Sequence, residues 1–180
     1  MNLRTTRLMT LLAVLIVAAF VSRAAPGEAP STRPTKVAIG VYDSRAVAVA
    51  FVQSGGVESS MKDLRKQLDE AKAAGDTKRV EQIKALGANQ QTLRHLQGFS
   101  NAPIDDILLQ VKDKLPGIAQ QTGVDVIVAK LDYQKPDVVT VDVTDQIVAL
   151  FHPNAKTLKT IAELRKRDPF PMVQIIGMKE

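Results

Sequence analysis

From Lys36 to Asp43 the apolar residues alternate. Val37, Ile39 and Val41 fall on one face, and Ala38, Gly40 and Tyr42 on the other. A period of two predicts a β-strand, with Ala38 and Gly40 leaving room for a closely packed helix. Asp43-Ser44 then offers an N-cap. Arg45 to Gln53 is apolar almost all round (Ala46, Val47, Val49, Ala50, Phe51, Val52), which predicts a short buried helix. Ser54-Gly55-Gly56 breaks or kinks it.

The period changes at Val57. Val57, Met61, Leu64, Leu68 and Ala71 recur at spacings of 4, 3, 4 and 3, a heptad seam. The other faces carry Lys62, Asp63, Arg65, Lys66, Asp69, Glu70 and Lys72. Ala74-Gly75-Asp76 reads as a turn, with Gly75 suited to a left-handed C′ position and Asp76 or Thr77 to the next cap. Val80, Ile83, Leu86, Leu93 and Leu96 continue on a returning helix. Two heptads hold no lone helix in water, so packing as an antiparallel αα-hairpin, or against other subunits, is expected. A third stripe, Ile104, Ile107, Leu108, Val111, Leu115 and Ile118, predicts a helix that Pro116 kinks or shortens and Gly123 closes. Asp105 and Asp106 suit the positive end of its dipole.

Val124–Ala129 and Val138–Val141 read as strands, and their proximity predicts a β-hairpin. Asp142, Thr144 and Asp145 read as caps of a short helix over 145–151, stopped by His152-Pro153. Asn154 caps a basic helix, Ala155–Arg167, whose Lys156, Lys159, Arg165, Lys166 and Arg167 form the densest cationic cluster. Val173–Ile176 suggests a last edge strand. The fold class is therefore α+β and mostly helical: a small β-sheet or barrel stub, with a projecting antiparallel helical hairpin inserted at about 44–122.

Charge and composition change the picture mainly at the N-terminus. The formal charge is +5, which alone would suggest nucleic acid. Three of the 24 Lys and Arg lie within residues 1–24, which hold no acid, so the rest carries 21 against 19 Asp and Glu. That first segment has the form of a signal peptide. Arg4 and Arg7 precede the apolar run Leu8–Val21, and Ser22-Arg23-Ala24 provides small residues at a cleavage site. The run would be about 21 Å long as a helix, short of the roughly 30 Å hydrocarbon core. Cleavage and a periplasmic mature chain are expected, with an uncleaved anchor as the alternative. Residues 25–35 read as a flexible linker, and 152–180 as a C-terminal extension.

Candidate chemistry is sparse. The chain has no Cys and no Trp, two His, and 4% aromatic residues. Thiol catalysis, Cys-ligated zinc and base-stacking platforms are thereby excluded or poorly supplied. His95 and His152 have no ligand cluster near them in sequence, and Gly55-Gly56 lacks the Gly-Lys-Ser/Thr ending of a phosphate loop. No enzyme activity, cofactor or metal is expected.

Three segments carry a family resemblance. They are Val37-Ala38-Ile39-Gly40-Val41-Tyr42-Asp43-Ser44-Arg45, then Gly123-Val124-Asp125-Val126-Ile127-Val128, then Val141-Asp142-Val143-Thr144-Asp145-Gln146-Ile147. In order and spacing, behind a secretory signal, they resemble the OmpH/Skp family of periplasmic chaperones over about residues 36–151. The arms are shorter than in that family, and residues beyond Phe151 are additional. The resemblance implies a homotrimer whose sheets form a central barrel. Its helical tentacles would surround a cavity for unfolded outer-membrane or envelope proteins. Candidate client contacts are Met61 and Leu64, with Lys62, Arg65, Lys66, Lys78 and Arg79 as cationic contacts to acidic clients or anionic lipid. The alternative is an envelope structural or interaction protein that uses the same oligomeric fold to scaffold one defined partner.

Overall fold

A computed structural model describes residues 36–177. The expected signal and linker, residues 1–35, lie outside the described residues. The chain is mostly helical around one small parallel sheet.

Strand β1 (Ala38–Val41) is central, with β2 (Val126–Val128) on one side and β3 (Val139–Asp142) on the other, both parallel to it. Gly40 pairs with Ile127 and with Val141. A Cβ at Gly40 would lie 3.1–3.2 Å from the Val124 and Val143 side chains. The room that Gly40 leaves is thus filled by the residues flanking the outer strands.

The β-hairpin expected of β2 and β3 does not form. Alternating Val and Thr suits either pairing sense, and each strand finds a separate edge of β1. The ten residues between them can extend about 33 Å, enough to return along a short strand and cross β1 without a helix.

Helix α1 (Ser44–Gln53) lies at the centre of the core. The Asp43 carboxylate caps it, accepting from the Arg45 N–H at 2.9 Å. The same carboxylate holds the buried Arg45 guanidinium (Nη2 2.8 Å, Nε 3.1 Å), whose Nη1 donates to the Arg167 carbonyl at 2.9 Å. Ala46, Val47, Ala50 and Phe51 are buried together with Ile104, Ile107, Ile147 and Ile161. Phe51 meets Phe151 edge to face at 5.8 Å between centroids. Gly56 is required beside it, because a Cβ there would fall 2.0 Å from the Phe51 ring.

Helices α2 (Glu58–Ala73) and α3 (Thr77–Phe99) are joined by the expected turn. Gly75 has φ +69°, and the Asp76 carboxylate caps α3 through the Arg79 N–H at 2.9 Å. Leu64, Ala71 and Ile83 form a buried cluster of their own, flanked by Leu68 and Val80. The foot of α3 packs on α1.

The third helical stretch is broken into α4 (Asp105–Leu108), a tight 3₁₀ turn over Lys112–Lys114, and α5 (Leu115–Thr122). Pro116 sits in the first turn of α5, where its missing N–H costs no helical bond, and Gly123 caps the end at φ +68°. Then come α6 (Thr144–Ala149) and α7 (Ala155–Leu164), both packed on α1. Residues 173–176, expected as an edge strand, instead form α8 (Met172–Gly177) against α3. Pro171 just before it favours helix initiation, and Ile175 gains burial there without a sheet edge.

Candidate functional site

The arm formed by α2 and α3 meets the core at a buried polar joint. Gln97, 1% exposed, donates through Nε2 to the Pro103 carbonyl (2.9 Å) and to Asp106 Oδ1 (2.7 Å). Arg94 Nη1 donates to Gln97 Oε1 and to Asp106 Oδ2, both at 2.6 Å. The Arg94 guanidinium also stacks over the Phe51 ring at 5.3 Å. Asp106 therefore ties α3 to α4, a role beyond the dipole pairing expected of it. The signal in the sequence was one Gln beside Leu93 and Leu96, where a stripe predicts an apolar residue.

Beside this joint runs an apolar groove of about 700 Å³ between α1, the start of α2 and α3. Val49, Val52, Val57, Met61 and Phe99 wall it, and Gly87, Ala88 and Gly98 keep it open. Lys84, Arg94 and His95 stand along it, and among the described residues its lining contains no acid. The ring of His95 lies 5.9 Å from that of Phe99. A second cavity of about 510 Å³ shares Ala88, Gln91, His95 and Phe99 with the first, and is closed by Phe170 and Ile175.

The seven expected client-contact residues are distributed unevenly. Leu64 is 8% exposed, so its side chain is committed to the seam. Met61 lines the groove and, with Lys62, Arg65 and Val52, a smaller depression of about 360 Å³. Lys62 pairs with Glu58 at 2.7 Å, Lys66 with Glu70 at 4.0 Å, and Arg79 donates to Gln67 at 2.8 Å. Lys78 is exposed at the start of α3.

A polar cleft of about 820 Å³ opens at the carboxyl ends of the strands. Its charges are paired with one another: Asp43 with Arg45, Asp142 with Arg165, and Lys130 with Asp132. Burial works against the Asp142 carboxylate. The Thr144 donors and the Arg165 guanidinium outweigh it and hold its pKa below the ordinary value. Burial, and after it the Asp105 charge, pushes the Tyr42 phenol up.

Part of the basic cluster on α7 is structural. Arg165 holds Asp142 and Asp145, and Lys166 holds Glu163. His152, three residues beyond α6, lies in the left-handed region at φ +51°. Among the described residues, no group of three acids and histidines is placed to hold a metal ion, and no helix is long and apolar enough to cross a membrane.

Comparison with family models, curated proteins and solved structures gives no match for this chain.

Proposed function

We propose that the chain is a non-enzymatic, extracytoplasmic holdase that binds unfolded envelope or outer-membrane proteins and keeps them from aggregating. In this reading α2 and α3 are an antiparallel hairpin that projects from the body. The sheets of several copies, three by the OmpH/Skp resemblance, close into a barrel stub, and the chain works in the periplasm.

One observation carries the reading. The arm buries only Leu64, Ala71 and Ile83 within itself, yet leaves Met61, Leu86 and Leu93 between 36% and 48% exposed. Apolar side chains left over from a seam on a charge-laced helix pair can make many weak contacts with an unfolded chain. Such contacts suppress aggregation without fixing one client conformation. The sheet supports self-association. A parallel sheet is normally covered on both faces, whereas here Val126 and Val139 are 46% and 48% exposed and, among the described residues, both outer strands have an open edge.

The scaffold alternative is favoured by the apolar groove of about 700 Å³ at the arm's root, a single compact patch. Light scattering of a denatured β-barrel protein diluted into buffer separates the two. Stoichiometric suppression for several unrelated clients is the expected result, and no suppression of any client removes the holdase reading.

A further inference from the structure

We propose that the groove at the root of the arm binds an unfolded polypeptide segment that presents apolar side chains beside an acidic residue. The choice of an unfolded occupant rests on the holdase reading. The site itself rests on the groove's shape, its charge, and a non-helical segment of the chain docked beside it at Phe99.

The shape is that of a channel. From Lys84 to Phe99 the groove follows α3 for about 22 Å, the length of about seven residues of extended chain. Its volume of about 700 Å³ is ample for several side chains. Folding gives no reason for its openness. Glycine weakens a helix interior, and at Gly87 nothing lies within 4 Å of where a Cβ would stand. At Gly98 the nearest contact would be Val49 at 3.8 Å, so a methyl group would fit there too. Met61, the flexible member of the wall, suits variable apolar partners.

The charge is one-sided. Among the described residues, Lys84, Arg94 and His95 line the groove and no Asp or Glu does. Arg94 is engaged with Asp106 and Phe51, which leaves Lys84, exposed at the rim, as the cation that meets an incoming carboxylate.

The chain supplies its own example of a non-helical stretch docked on the rim. The cavity that continues the groove past Phe99 has Phe170 and Ile175 in its wall. The Phe170 N–H donates to the Phe99 carbonyl at 2.9 Å, and the Phe170 side chain stays 50% exposed. That stretch reads Asp168-Pro169-Phe170-Pro171, with an aromatic residue two positions after an acid. A client segment of the same chemistry would lie in the open groove on the other side of Phe99.

The test uses the full chain and a fluorescent seven-residue peptide of Phe, Val and Leu with one central Asp, followed by anisotropy. A second peptide carries Lys in place of Asp. Gly87→Leu directs a side chain into the groove's empty space and leaves the helix at least as favourable. It is expected to weaken the acidic peptide about tenfold. Lys84→Glu is expected to weaken the acidic peptide and tighten the Lys peptide, with the wild-type preference fading in high salt. A benzophenone on the peptide is expected to crosslink within 57–61 and 84–99, in a measurement that does not depend on any variant folding. Unchanged affinity in a folded Gly87→Leu, or crosslinks confined elsewhere, overturns the groove. If wild type still suppresses aggregation in that case, the holdase reading stands without it. If the peptide binds as expected and aggregation is untouched, the groove stands and the holdase reading falls.

Discussion

The body and the arm use the same kinds of residue to different effect. In the body, α1 is enclosed by α6, α7 and the foot of α3, and most of its apolar side chains are buried. In the arm, helices of 16 and 23 residues share a buried cluster of three side chains. Around it lie half-buried Leu68 and Val80, the Arg79–Gln67 hydrogen bond, and exposed ion pairs within α2 such as Lys62–Glu58, each pair of little net worth in water. The comparison shows that regular secondary structure does not imply stability. The body holds its helices by burial. The arm is held mainly at its root, by Gln97, Arg94 and Asp106, and is the part that can open while the body stays folded.

The largest expected effect breaks the body. Phe51→Ala removes the ring that meets Phe151, Arg94 and Gly56. It should lower global stability by about 3–5 kcal/mol in denaturant unfolding, with the arm and body lost together. Ile83→Ala removes the least exposed apolar side chain of the arm's own cluster, 4% exposed. Its cost, about 2 kcal/mol, should appear as faster local amide exchange within 62–86 while the global midpoint barely moves. Gln97→Ala acts at the joint. By stranding part of a buried polar network it should cost about 1–2 kcal/mol, visible both as a lower midpoint and as faster exchange at the foot of α3.

Smaller effects sharpen the contrast. The Asp142 carboxylate is favoured in the folded state, so its contribution is present at neutral pH and is lost as the pH falls below the ordinary carboxylate value, about 4. Asp142→Asn should lower stability slightly at pH 7 and flatten the acid limb of a stability–pH curve. The effect is modest because the side chain is 57% exposed. Glu58→Gln, at the exposed pair on the arm, should leave the thermal midpoint essentially unchanged.

The sequence made some of this contrast legible. Period two located β1, the Asp43 cap located α1, and the seam from Val57 through Ala71 located α2. Gly75 and Asp76 set the turn because each answers a local backbone demand, a positive φ and a free N–H. What escaped depends on partners distant in the chain. Alternation in β2 and β3 says nothing about pairing sense, so their parallel placement on opposite sides of β1 was hidden. The Val-Gln-Ile-Ile run of α8 has strand propensity, but docking against α3 overrides it. The groove left a faint trace, Gly87 and Gly98 inside one helix. Its walls come from α1 and α2, and no local pattern links those residues to α3.

Native-state hydrogen exchange, residue by residue, tests the division most directly. The account predicts that amides of α2 and of α3 up to about residue 86 exchange through openings well below the global unfolding free energy. Amides of β1 and α1 should exchange only through global unfolding. Equal protection along both regions would mean that arm and body form one cooperative unit, and would contradict the account.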